Sequence, residues 1–166
     1  MKALVLKEKG VIEFVEKDEP TLSCQHGAIL KPVLVSPCTS DVHTIWQGSP
    51  KKKNLTLGHE CVAQVAEIGN GVKDFCVGDI VAVPAITPDW SQQDVNENPA
   101  HAGENFSAHM LGKSIDGAFQ EAFYIPYADK NLAHIPTNVT LEQALMCVDV
   151  VSTGFTAAEE ANIKQG

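Results

Sequence analysis

Several features are scarce or missing in this chain, and each absence narrows what it can be. No apolar run approaches the roughly 18 to 20 residues that a helix needs to cross a bilayer. No Lys- or Arg-rich cluster is interleaved with aromatics, and 12 basic residues face 21 acidic ones for a formal charge of -9; nucleic acid and anionic membrane are therefore poor partners. The one basic run, Lys51 to Lys53, reads as a solvated loop. The five cysteines, at 24, 38, 61, 76 and 147, contain no CxxC pair, which argues against a disulfide framework and against a four-cysteine zinc knuckle. No GxGxxG occurs, so the chain carries no dinucleotide-binding fingerprint. No internal repeat or low-complexity tract is visible. The start, "MKALVLKEKG", breaks into charge too early for a secretory signal, and a cytoplasmic protein is expected.

What is present suits one globular domain. Of 166 residues, 44% are hydrophobic and 20% charged, enough for a core that folds unaided. Short β-type runs recur: "KALVLK", "VIEFVEK", "AILKPVLVS", "ECVAQVAEIG", "DIVAVP", "FQEAFYIPY" and "LAHIP". Several alternate apolar with polar, as half-buried strands do. Gly69 to Gly71 and Gly78-Asp79 mark turns between them. Many strands with short turns predict a mainly β fold with a few helices, a partly open β-barrel. "SDVHTIW" predicts one short helix capped by Thr39 or Ser40. From about residue 140 the texture becomes helical, with Thr140 as N-cap ahead of Glu142 and Gln143. Between Pro84 and Gly117 runs a polar, turn-rich stretch too long for an ordinary connection.

The chemistry-bearing residues are polar or soft groups set in apolar sequence. "LTLGHECVAQ" places His59 and Glu60 at the start of a strand, "SPCTSDVH" places Cys38 just past the end of another, and "MCVDVVSTG" places Asp149 in an apolar helix. Taken singly, each has an ordinary reading: a core thiol, a hydrogen-bonded turn imidazole, a capping or ion-paired carboxylate. Taken together they offer one thiolate, one imidazole and two carboxylates, a complete four-coordinate set for zinc. Soft sulfur disfavours calcium and magnesium, while imidazole and carboxylate suit a borderline ion. An ion would also offset the several kcal/mol, by order of magnitude, lost on burying His59 and Glu60.

"GHE" followed by "CVAQVAEIGNGV", with "SPCTSDVH", "VGDIVAVPAITPDW" and "DVVSTGF", resembles the zinc-containing medium-chain alcohol dehydrogenases, above all the microbial secondary-alcohol dehydrogenases that use NADP. The resemblance covers essentially the whole chain. Ala63 departs from it, standing where the zinc signature usually has glycine. It implies a GroES-like barrel in which Cys38, His59 and Asp149 ligate the catalytic zinc and Glu60 is a carboxylate that ligates in some states. It implies that Ser40 lies beside the substrate oxygen, that His43 accepts the proton next, and that Ala85 and Trp90 border the substrate pocket. His109 stands where relatives carry a pocket tryptophan. Relatives with a second, structural zinc place four closely spaced cysteines after the barrel; residues 85 to 117 contain none, so a single zinc is expected.

The implied activity is reversible oxidation of secondary or primary alcohols to ketones or aldehydes, with hydride passing to NAD or NADP. Residues 1 to 166 would form the catalytic domain alone, with 140 to 166 a helical segment leading toward a nucleotide-binding Rossmann domain that is absent here. Such a chain is expected to fold and not to turn over alcohol by itself. Homo-oligomers, usually tetramers, are implied for the whole enzyme. Two other readings stand beside this one. In the first the barrel is a scaffold for metal or partner binding. In the second the chain is a zinc-independent reductase relative, which would make all four candidate ligands coincidental.

Overall fold

The computed structural model describes residues 1–47, 53–88, 90, 91 and 108–163. In chain order these residues form β1 (Lys2–Glu8), β2 (Val11–Glu16), β3 (Ala28–Ser36), α1 (Thr39–Gln47), β4 (Leu55–Thr56), β5 (Glu60–Ile68), β6 (Ile80–Val83), β7 (Ile86–Pro88), β8 (Ala108–Met110), β9 (Phe123–Ile125), α2 (Ala128–Asn131), β10 (Ala133–His134), α3 (Leu141–Cys147) and α4 (Val150–Glu160). The mainly β architecture expected from the alternating runs is present. Strands pair as β2-β1-β4, as β10-β6-β5-β3-β9 and as β7-β8, every pair antiparallel. None of the helices among the described residues is long and apolar enough to cross a membrane.

The period-2 geometry of β5 organises the interior. Cys61, Ala63 and Val65 turn to one face, where Leu30, Val81, Val83, Phe123 and Ile125 complete the larger core. Val62, on the opposite face, packs with Ala144 and Leu145 of α3. Glu60 shares that second face with Val62, so the side of the sheet that α3 covers is the side that holds Glu60. Ala63, the departure from the zinc signature, is fully buried in the larger core. Pro32, which has no N–H to give a ladder, sits at a register shift in β3 and beyond the three residues that β9 pairs.

Two local expectations change. The helical tail is broken: α3 ends at Cys147 and α4 begins at Val150, so Asp149 is an N-cap residue between two helices, with φ -142° and ψ -67°, and not a position within one. Thr140 does cap α3 through a reciprocal pair of bonds with Gln143. At α1 the bond that ties the first turn runs the other way from the one expected. The Asp41 carboxylate accepts from the Cys38 N–H at 2.9 Å, and the Ser40 hydroxyl is directed to His59. The long polar stretch after Pro84 has paired ends, Ile86 opposite Met110 and Pro88 opposite Ala108.

Candidate metal centre

Antiparallel register carries three candidate ligands to one place. Ser36 at the end of β3 lies opposite Glu60 at the start of β5; Cys38 follows two residues past the first strand end, and His59 immediately precedes Glu60. The fourth arrives on the helical side, where α3 packs on Val62 and the chain turns at Asp149 into α4. One donor atom each from Cys38, His59, Glu60 and Asp149 lies within 4.8 Å of all the others. His59 and Glu60 are buried, Cys38 and Asp149 half-buried, so the cluster has a closed floor and a side open toward solvent.

His59 is the hub. Its Nδ1 lies 3.2 Å from Asp41 Oδ1, and its Nε2 lies 3.2 Å from Ser40 Oγ and 3.3 Å from Asp149 Oδ2. Asp41 also accepts from the Gly58 N–H at 3.3 Å. One aspartate thus fastens Cys38, Gly58 and His59 to one another. The other oxygen of Asp149 accepts from Thr153 Oγ1 at 2.7 Å, which turns Oδ2 toward the cluster. Sequence reasoning misses Asp41 and Thr153. The available signals are short range: Asp41 is the third residue of α1 after Cys38, and Thr153 lies one helical turn after Asp149.

These contacts set the ionisation of the pair. The hydrogen bond to Asp41 raises the His59 pKa from 6.5 to about 9; burial opposes this, and the charges of Asp41 and Cys38 add to it. Burial pushes Asp41 up, but hydrogen bonds from His59 and the Cys38 N–H and the charge of His59 outweigh it, and its pKa is lowered. Without a metal, His59 is an imidazolium held between two carboxylates. With Nδ1 held by Asp41, Nε2 is the nitrogen left to face an ion.

Whether a cation suits this place is answered by Glu60. Its side chain is fully buried and its Oε1 has no hydrogen-bond partner. A carboxylate oxygen in that position is costly unless a charge faces it. A thiol, an imidazole and two carboxylates form a mixed soft and hard donor set, the composition that a four-coordinate borderline divalent ion takes.

The other expected site residues are placed as follows. Ser40 is drawn into the cluster. His43, one turn along α1, is exposed. Ala85 precedes β7, where its carbonyl accepts from the Leu111 N–H at 3.3 Å. Trp90 donates its indole N–H to Asn131 Oδ1 at 2.8 Å, with the Lys130 ammonium 4.8 Å from the ring centroid. It lines a cavity of about 250 Å³ with His26, Tyr127, Asp129 and Lys130, a lining that includes none of the four clustered residues. The backbone of His109 pairs with Thr87; its side chain lies outside the described residues.

Comparison with known proteins follows the same lines. The family described as alcohol dehydrogenase GroES-like domain matches residues 25–137, more than half of the chain. The NADP-dependent isopropanol dehydrogenase of Thermoanaerobacter brockii is 42% identical over 168 residues, a match covering 100% of this chain and 47% of that protein. Alcohol dehydrogenase TADH from Thermus sp. ATN1 superposes with a TM-score of 0.89 at 26% identity, over 100% of this chain and 49% of that one. The apo form of zinc dependent alcohol dehydrogenase 2 from Streptococcus pneumonia gives a TM-score of 0.87 at 27% identity, over 100% and 47%. The chain spans about half the length of the curated relatives it matches.

Proposed function

Because the chain belongs to the alcohol dehydrogenase GroES-like domain family, we propose that it is the metal-binding catalytic half of a zinc-dependent, NADP-linked alcohol dehydrogenase that interconverts secondary or primary alcohols with ketones or aldehydes. The single observation that carries this reading is the convergence of Cys38, His59, Glu60 and Asp149 on one point, with a buried Glu60 oxygen left without a hydrogen-bond partner. In this reading all 166 residues form one catalytic domain, and the tail from residue 140 leads toward a separate nucleotide-binding domain. One zinc per chain, a homo-oligomeric whole enzyme and a cytoplasmic setting belong to the same proposal.

Bound zinc would supply Lewis acidity, letting an alcohol oxygen give up its proton near neutral pH. The chain's own residues do the rest. Asp41 orients His59 and holds the Cys38 backbone, so that two ligands keep their separation while the more exposed Asp149 and the otherwise unpartnered Glu60 adjust. Ser40 Oγ, within 3.2 Å of His59 Nε2, is in position to take the proton of a hydroxyl bound at the centre. His43, exposed one turn further along α1, passes it to solvent, a role suited to an imidazole. In this reading Ala85 and His109 border the substrate side, while Trp90 is bonded to Asn131 and lines a cavity that includes none of the four clustered residues. A nicotinamide held by a nucleotide-binding partner domain would supply the hydride acceptor.

Metal analysis of the purified chain is the test. One zinc per chain, lost in Cys38→Ser, is the expected result; a metal-free protein under zinc-replete conditions would overturn the proposal. Alcohol-dependent NADPH formation by the 166-residue chain alone should be absent, and robust turnover would refute the assignment of hydride-acceptor binding to another domain.

A further inference from the structure

The peptide that leads into His59 is under unusual backbone constraint. Gly58 has φ +92°, in the left-handed region that glycine alone enters cheaply. A Cβ there would lie 2.4 Å from the Phe119 ring, so that ring covers the face of Gly58 where a side chain would stand. Gly117 approaches from the same distant segment. A Cβ at Gly117 would lie 2.0 Å from the Gly58 carbonyl oxygen and 2.6 Å from that of Leu57, far inside any real contact. Backbone bonds fasten the two segments: Gly117 N–H to Thr56 O, Ala118 N–H to Gly58 O and Phe119 N–H to Leu57 O, each 2.9 Å. Asp116 Oδ1 accepts from the Thr56 N–H at 3.0 Å.

The geometry points to Gly117 and Phe119 as positioning residues for the metal centre: the Asp116–Phe119 segment is a brace that fixes Gly58 and thereby sets where His59 and Glu60 stand relative to Cys38. This inference rests on the metal reading given above. Three observations separate the brace from general packing. Its bonds end on residues 56 to 58, the three that immediately precede the first ligand of the pair. The Gly58 N–H is spent on Asp41 while its carbonyl is spent on Ala118, so the one residue joins α1, the brace and the ligand pair. And the approach at Gly117 is so close that a single methyl must displace the backbone of Leu57 and Gly58, not merely a side chain. Since a metal site loses affinity when its ligands move by fractions of an ångström, the methyl's effect should reach the metal before it reaches the fold.

The test is zinc and cobalt(II) binding to the 166-residue chain carrying Gly117→Ala, Phe119→Leu or, as control, Gly78→Ala. Gly78 has φ +101° and nothing within 4 Å of its missing Cβ, so alanine there strains the backbone while touching nothing. Gly117→Ala is expected to weaken zinc by about tenfold or more and to alter the cobalt–thiolate absorption, with the metal-free chain still folded by circular dichroism. Phe119→Leu, which keeps the backbone bonds and withdraws the ring, should weaken zinc in the same direction and by less than Gly117→Ala. Gly78→Ala should lower thermal stability and leave affinity and spectrum unchanged. If Gly117→Ala does not fold, Phe119→Leu decides. Wild-type affinity and spectrum in the folded variants, or an equal loss in Gly78→Ala, would overturn the brace while leaving the metal reading intact. Failure of the unaltered chain to bind either metal would overturn both.

Discussion

Asp41 and His59 meet at 3.2 Å through Oδ1 and Nδ1, both side chains less than a tenth exposed, and the same aspartate accepts the N–H groups of Cys38 and Gly58. A carboxylate so placed performs two tasks. Its geometry fixes the imidazole and the cysteine backbone, and its charge sets the proton affinity of His59.

Asp41→Asn removes the charge and keeps an acceptor near Nδ1, but it turns an amide NH2 toward the Cys38 N–H that Oδ2 now accepts, so the tie to Cys38 is lost together with the charge. His59 should then titrate well below its present value of about 9, toward the range of an ordinary imidazole, and zinc affinity should fall roughly tenfold or more. Ring-proton chemical shifts of His59 against pH read the first effect. An imidazole in the Asn variant still titrating near 9 would show that Asp41 is not the group that raises it.

The same pair fixes a pH dependence whose sign depends on the metal. In the metal-free chain His59 is raised from 6.5 to about 9, so its contribution is complete below pH 6.5 and is lost as pH rises through 9. The lowered Asp41 acts at the other end: its share is present above the ordinary carboxylate range and is lost as pH falls through the folded value. Metal-free stability should therefore decline steadily from about pH 6.5 to 9. With saturating zinc His59 is neutral in both the loaded and the unfolded chain, so the decline should vanish. Urea denaturation at a series of pH values, with and without zinc, checks both slopes; a zinc-loaded chain that still loses stability over this interval would contradict ligation by His59.

Thiol reactivity gives an independent view of the centre. Cys76 and Cys147 are exposed and should alkylate readily. Burial pushes the Cys61 thiol up to about 12, and since only the thiolate reacts it should modify only on unfolding. Cys38, half-buried beside His59, is the thiol that zinc should shield. Peptide mass analysis after iodoacetamide should show Cys38 labelled in the metal-free chain and protected in the loaded one, while labelling of Cys76 and Cys147 stays the same. Equal labelling of Cys38 in both would remove it from the ligand set.

Much of this centre is legible in the amino-acid sequence, and the parts that are not share a physical cause. Alternation in "AILKPVLVS" and "ECVAQVAEI" is a local property of strands, and once those strands pair antiparallel the meeting of Cys38 with Glu60 follows from register. Thr140 and Gln143 signal a helix start because the capping bonds span three residues. Asp149 is harder to read. Its helix break depends on α3 packing on Val62 and on Thr153 taking one of its oxygens, and the apolar residues on either side carry no turn signal. Trp90 shows the same limit: its indole follows a buried Asn131 that is 41 positions away and also binds the Pro88 and Pro126 carbonyls, a pairing no local pattern announces. The brace on Gly58 is likewise set by two glycine-containing segments about 60 residues apart.

Glu60 allows a prediction in two parts. Its buried Oε1 lacks a partner, and an unsatisfied polar group of this kind costs about 1–3 kcal/mol, more when charged. Glu60→Met keeps the length of the side chain and removes the buried oxygen left without a hydrogen-bond partner, so the metal-free chain should be at least as stable as its parent. Zinc binding should weaken by roughly tenfold or more. A residue retained only for packing would give no such contrast, since an apolar isostere would leave zinc affinity untouched. Thermal melts and zinc titrations on the same samples measure both. A metal-free Glu60→Met chain less stable than its parent would mean that a protein group, and not an ion, already satisfies that carboxylate.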